Sequence, residues 1–431
     1  MKKFTAFVLS LILLLACVSG FAGCAVPKPT ADYETPSEAE IAASAVYNHW
    51  KEFTAANPSR TTGTPGEVAA ANYVKGKFES FGYPVQSQAF NADTMGYVNG
   101  VTAPVPSQNL IAKKEFEGNT RQVIVGAHYD NAAGMQSVDF MSLYGETTGG
   151  QGAFDNGSGV AVLLTLAERF ADYPSLLPFD LVFVAFGAEE FGLLGAEHFV
   201  SSMTKQQKDS TLLMVNIDVV GFGDFNYVYG EDISNPQEDF FIDVSKKLDV
   251  YNPVRKMPKS SVAGLFGDGE RPYYNTGHAS DNYAFVKAGV PSAFFFSGNY
   301  GSKYFGYNET VAGGEAVNIM HSENDTVEYI ENNCKDRFLL NLQTVTETIF
   351  TGLTDEGFAA AVKDARKSIV GQFWLSSLYA YAILVVCAAA VGLSGFGYYR
   401  KLQKASFTGT AEFRQKKEVD KPDVKDIFGD F

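Results

Sequence analysis

Apolar and polar positions follow two different periods along the chain, and each change of period marks a new element. From Pro36 to Phe81 apolar residues recur every three to four positions, the spacing of helices with one buried face. Ser37, with Glu40 three residues on, forms a capping box that opens the first helix, and Gly82 ends the second. Val85 to Phe90 reads as a strand. Beyond residue 120, short apolar runs take turns with helical segments. The runs at 121–130 (RQVIVGAHYD), 181–187 (LVFVAFG), 212–221 (LLMVNIDVVG) and 290–298 (VPSAFFFSG) are predicted strands. The stretches 157–170, 191–203, 238–250, 281–289 and 336–350 are predicted helices. Apolar strands alternating with helices predict an α/β fold, a three-layer sandwich with a central, mostly parallel mixed β-sheet flanked by helices.

Both ends of the chain depart from this pattern. Lys2 and Lys3 precede an apolar run from Phe4 to Val18, the layout of a secretory signal over residues 1–24. Phe21-Ala22-Gly23-Cys24 is similar to a lipobox, with Phe21 unusual at its position, and residues 25–36 form a linker. Near the other end, Leu375 to Gly397 carries no charge, enough to cross a hydrocarbon core of about 30 Å. Trp374 and Tyr398-Tyr399 flank it where an aromatic belt would lie. The expected order is one α/β domain over 37–355, a juxtamembrane linker over 356–372, a transmembrane helix over 373–399 and a charged tail over 400–431. Export places the domain outside the cell and the tail in the cytoplasm. Cys334 is the one cysteine of the exported domain, so no disulfide forms within it, which fits a bacterial envelope. A net charge of −15 disfavours nucleic-acid binding. Oligomeric state leaves no mark in the sequence.

Candidate chemistry gathers at the predicted carboxyl ends of the strands, where α/β sheets place their sites. The first strand ends in His128 and Asp130, and GAFDNGSG sets Asp155 before a helix. The next strand ends in Glu189 and Glu190, the next in Asp218, and MHSENDT supplies His321. Each alone has a plain reading as a cap, a strand end or a loop residue. Together they suit a borderline divalent cation, zinc above all, and the carboxylate count suggests a bridged pair of ions. On this reading one of the adjacent glutamates, placed at a helix start, binds metal while the other stays free as a base.

The order HYD, GAFDNGSG, AFGAEEFGLLGA, NIDVVG and MHSENDT resembles the co-catalytic zinc aminopeptidases of metallopeptidase family M28, over roughly Ala42 to Phe350. SRTTGTPGEVAAANYV and SDNYAFVKAGVPSAFFFSG are similar to the family's opening and pre-terminal segments. The resemblance implies two Zn2+ ions, with His128 and Asp218 on one, Glu190 and His321 on the other, and Asp155 bridging. It implies Glu189 as general base, Asp130 as the group that orients His128, and a cis peptide bond before Asn156. Met320 stands where many relatives carry Tyr, and Asn282 where a histidine is common. His278, Asp281, Met320 and Tyr300 are candidate substrate contacts; the loops at 131–152 and 298–309 are candidate pocket walls. His49 and His198 lie away from the strand ends.

The expected activity is therefore removal of N-terminal residues from peptides outside the cell by a membrane-anchored enzyme. Carboxypeptidase or glutaminyl cyclase activity on the same scaffold is the alternative. A catalytically inactive binding module predicts a missing ligand or base, and none is missing.

Overall fold

In the computed structural model, which describes residues 34–93, 103–133, 150–230, 236–256, 280–299, 309–310, 316–363, 365 and 399–400, the apolar runs form the centre of one sheet. The chain divides into two units, Met1–Ile369 and Val370–Phe431; in the second only residues 399–400 are described. The first begins with helices α1 (Glu38–Ala43), α2 (Ala45–Ala56) and α3 (Pro65–Ser80), then strands β1 (Val85–Ala92), β2 (Val105–Lys114) and β3 (Gln122–His128). Next come α4 (Gly157–Ala171), β4 (Asp180–Phe186), α5 (Leu194–Ser202), α6 (Lys205–Ser210), β5 (Thr211–Ile217) and β6 (Phe225–Tyr229). They are followed by α7 (Pro236–Lys247), β7 (Arg255–Lys256), α8 (Asn282–Lys287) and β8 (Ser292–Gly298). A small pair, β9 (Glu309–Thr310) and β10 (Ala316–Val317), precedes α9 (Val327–Asn333) and α10 (Lys335–Thr354).

The main sheet has eight strands in the order β1-β2-β4-β3-β5-β8-β6-β7. From β4 through β3 and β5 to β8 the pairing is parallel. Antiparallel pairs flank that centre, β1–β2 and β2–β4 on one side and β6–β8 on the other. The central strands are continuously apolar because each face meets a different core. Val123, Val125, Leu181, Phe183, Leu213 and Val215 join the larger core with α2, α4 and α10. Ile124, Val182, Val184, Phe186 and Met214 turn the other way, onto Phe199 of α5 and Phe285 of α8. Burying one large apolar side chain contributes about 1.5–3 kcal/mol, so this two-sided packing fixes the strand register.

Trp50 ties α2 to the segment ahead of α4. It is fully buried, its ring lies 4.6 Å from that of Phe338, and Nε1 donates to the Ala153 carbonyl at 2.7 Å.

The α/β expectation holds, with corrections in detail. The first predicted helix is two, broken at Ser44, whose backbone is extended and whose N–H turns back to the Ile41 carbonyl. Strands β2 and β6 were not foreseen. The predicted strand at 212–221 stops at Ile217, and the predicted helix at 191–203 starts at Leu194. Among the described residues no helix is long and apolar enough to cross a membrane. The predicted signal with Cys24, and all of the predicted span except Tyr399, lie outside the described residues.

Candidate metal centre

Successive parallel strands deliver their last residues to one edge, and the ligand candidates follow from that. His128 ends β3, Asp218 follows β5, and Glu189 and Glu190 lie in the turn after β4. Asp155 immediately precedes Asn156, the N-cap of α4, and the peptide bond between them is cis, as the family resemblance implied. Glu189 and Glu190 therefore do not open a helix as expected. Gly192 and Leu193 both donate to the Glu189 carbonyl, and their positive φ values of 101° and 65° turn the chain before α5 begins.

Three non-glycine residues at the site also adopt left-handed backbone, Ala188 (φ 56°), Val219 (φ 48°) and His321 (φ 55°). Each such conformation costs on the order of 1–3 kcal/mol, and persists where surrounding bonds dictate it. At β-branched Val219 those bonds are visible. Its N–H reaches Asn156 Oδ1 at 3.3 Å, and its carbonyl accepts from Ser297 N at 2.9 Å. Asn156 Nδ2 also donates to the Ile217 carbonyl at 3.0 Å, which ties the Asp155 turn to the strand that carries Asp218.

The predicted ligands meet in two triplets that share Asp155. His128 Nε2 lies 3.1 Å from Asp218 Oδ1 and 3.2 Å from Asp155 Oδ1. His321 Nε2 lies 3.0 Å from Asp155 Oδ2 and 3.1 Å from Glu190 Oε2. One oxygen of Asp155 thus faces each triplet, the arrangement that a bridging carboxylate requires. Zinc bonds nitrogen and oxygen at about 2.0–2.2 Å, so tetrahedral ligand atoms stand roughly 3.4 Å apart. The observed gaps come close to that, and within each triplet the ligand atoms lie within 4.8 Å of one another.

Charge argues the same way. Asp130, Asp155, Asp218, Asp281 and Glu189 are all buried, whereas Arg60 is the buried guanidinium among them. Buried carboxylates without compensating cations are costly. Burial pushes the Glu189 carboxyl well up, and Asp218 and Glu190 add to this against the opposing pull of His128. Burial would lower the His128 imidazole, but Asp218, Glu189 and neighbouring carboxylates hold it well above its ordinary value. Burial likewise works against charge on His321, and Glu190 and Asp155 outweigh it. Without metal the site keeps protons that bound metal would displace.

A ring of polar residues holds this arrangement. Asp130 Oδ1 lies 3.5 Å from His128 Nδ1 and accepts from Glu189 N at 3.1 Å; Oδ2 accepts from Glu190 N at 3.3 Å and Thr62 Oγ1 at 3.0 Å. Ser280 Oγ donates to Asp218 Oδ2 and accepts from Asn216 Nδ2, both at 2.7 Å, which keeps Asp218 Oδ1 turned toward His128. Arg60 is fully buried and donates to the carbonyls of Asn57, Tyr129, Gln151 and Gly152.

Of the candidate substrate contacts, Asp281 is fully buried beside the site and Met320 is buried against the larger core. His278 and Tyr300 lie outside the described residues, as do most of the two candidate pocket loops. His49 pairs with Glu168 at 3.0 Å, and His198 stacks on Phe90, both away from the triplets.

Sequence reasoning missed Thr62, Arg60, Glu67, Ser280 and Asp325. Glu67 is 2% exposed; its Oε2 accepts from Gly63 N at 2.6 Å and its Oε1 from Ser107 Oγ at 2.5 Å. Burial raises its carboxyl from 4.5 to about 7, opposed by the Ser107 bond and helped by Asp130. A pKa higher in the folded than in the unfolded state gives stability that is full below about 4.5 and is lost as pH rises to about 7. That shift is worth about 3 kcal/mol. Glu67→Gln should therefore gain about that much relative to wild type between pH 4.5 and 7.5, read from urea melts at both pH values. A difference that does not change with pH would show that this carboxyl does not titrate there.

A family model described as "Peptidase family M28" matches residues 109–346. The alkaline phosphatase isozyme conversion protein of Escherichia coli (strain K12) is 31% identical over 242 residues, 54% of this chain and 66% of that protein. Aminopeptidase YwaD of Bacillus subtilis (strain 168) is 26% identical over 266 residues, 61% of this chain and 48% of that protein. The chain thus spans between about half and two thirds of these two curated relatives. A solved zinc aminopeptidase from Bacillus subtilis shares the fold, with a TM-score of 0.52 and 19% identity over 74% of this chain and 96% of that one.

Proposed function

Given that the chain belongs to peptidase family M28, we propose that it is a di-zinc aminopeptidase that removes N-terminal residues from peptides. The observation that carries this reading is Asp155, whose two oxygens face two separate ligand triplets. A zinc pair held there supplies Lewis acidity toward the scissile carbonyl and lowers the pKa of a water. His128 and Asp218 would hold one ion, His321 and Glu190 the other.

The chain's own residues supply the proton traffic and the dry setting. Glu189 belongs to neither triplet, so its carboxylate is free to accept the proton of the attacking water and pass it to the leaving amine. Asp130 fixes the main chain of Glu189 and Glu190 with one carboxylate, which keeps base and ligand in constant relation. The buried surroundings exclude bulk water and raise the proton affinity of Glu189.

The export signal at 1–24 and the apolar span at 373–399 support an extracytoplasmic location for the domain at 37–355, anchored in a bacterial membrane with residues 400–431 inside.

The full chain, assayed on a panel of amino-acyl p-nitroanilides, should release nitroaniline. Chelation should stop the reaction, zinc should restore it, and N-acetylated substrates should be refused. Cyclisation of N-terminal glutamine, or release of C-terminal residues in place of this activity, would replace the aminopeptidase reading with one of its alternatives.

A further inference from the structure

Asp325 stands four residues beyond His321, and both of its oxygens are spent on main-chain donors. Oδ1 accepts from Phe154 N at 2.6 Å and Oδ2 from Asp155 N at 3.1 Å. Its main-chain carbonyl accepts twice more from the same segment, from Gln151 N at 2.7 Å and Ala153 N at 3.4 Å. On its own side Asp325 N closes the turn after His321 by donating to the Ser322 carbonyl at 3.1 Å. Val327 N adds a bond to Gln151 Oε1 at 3.1 Å. The residue is 2% exposed. It therefore laces the loop that carries His321 to the turn that carries Asp155.

The two triplets differ in what holds them. His128 ends β3, and Asp218 follows β5 with its N–H on the Phe295 carbonyl of β8 and its Oδ2 on Ser280. The first of those bonds joins neighbouring strands in the centre of the sheet, and the second comes from Ser280, just ahead of α8. His321 instead lies in a turn, with φ of 55°, between β10 and α9. The turn that carries it is laced to the Asp155 segment through Asp325. A carboxylate accepting main-chain N–H groups makes bonds about twice as strong as neutral ones.

We infer that Asp325 is a positioning residue that sets the affinity of the Asp155–Glu190–His321 site for metal and leaves the His128–Asp155–Asp218 site largely unchanged. This rests on the metal-pair reading above. Changes to groups that orient ligands typically cost 10–100-fold in metal affinity. Asp325→Asn keeps the volume but turns an amide N–H2 toward one of the two donors, so it should weaken one of two zinc-binding steps by about that factor.

The experiment is zinc titration of the metal-free full chain against a chromophoric chelator, with bound zinc counted by elemental analysis. His321→Ala and His128→Ala identify which step belongs to which triplet. In Asp325→Asn and Asp325→Ala the step that His321→Ala removes should weaken 10–100-fold, and the other should change by less than about threefold. Equal weakening of both steps, or none, would overturn the inference while leaving the metal pair standing. If both Asp325 variants are unfolded before metal is added, under conditions where wild type is folded, the carboxylate holds the fold and the inference also falls. Fewer than two zinc ions on wild type would refute the metal-pair reading itself.

Discussion

Glu189→Gln should lower kcat by on the order of 10²–10⁴-fold and leave zinc binding intact. The size of the effect follows from the role: a positioned general base contributes that much, and an amide cannot accept the proton. Zinc binding survives because Glu189 is in neither triplet. The main chain survives because Asp130 grips the N–H groups of residues 189 and 190, which the substitution leaves in place. Steady-state hydrolysis of the best p-nitroanilide, beside zinc counted per chain, checks both halves. Zinc lost together with activity would make Glu189 a ligand. Activity retained would move the base elsewhere.

Removing the metal should cost more stability than any single side chain at the site. The stripped centre brings the carboxylates of Asp155, Glu189, Glu190 and Asp218 together, and burial pushes those of Glu189 and Glu190 up toward their protonated forms. A ligand present at a thousand times its Kd stabilises the folded state by about 4 kcal/mol per site. In a large domain 1 kcal/mol shifts Tm by roughly 2 °C. Chelation should therefore lower Tm by on the order of 8 °C or more, and zinc should restore it. Asp155→Ala, which removes the shared ligand, should show little response to either treatment. A Tm indifferent to chelator in the wild type, once metal loss has been verified, would sink the proposed centre.

What the sequence disclosed, and what it hid, divides along physical lines. Strands β3, β4, β5 and β8 were legible because burial on both faces makes them continuously apolar. Strand β2, with Ser107, Gln108 and Asn109 in its middle, carries no such run. It exists because β1 and β4 supply antiparallel partners on either side. Strand β6 is likewise defined by its pairing with β8. The candidate ligands were legible because strand ends converge and few other uses account for so many donors in that order. Glu189 and Glu190 reach the strand ends by another device than a helix start: a turn built on left-handed Leu193 carries them, and a single sequence does not announce that conformation. Arg60, Glu67 and Asp325 stayed hidden because a charged residue in a polar loop reads as solvated. Their burial depends on segments that meet only in the fold.

The contact of Trp50 with the Ala153 carbonyl ties the chain ahead of the matched model to the segment that carries Asp155. The family match begins at residue 109, yet Trp50, Arg60, Thr62 and Glu67 all come from before it. Two of the four bond main-chain carbonyls within three residues of Asp155, one orients Asp130, and one buries a carboxyl behind it. The leading segment, ahead of the matched model though similar to the family's opening stretch, thus braces the centre from behind its strand ends. Divergence in it can retune the centre while every ligand in the shared signature stays the same.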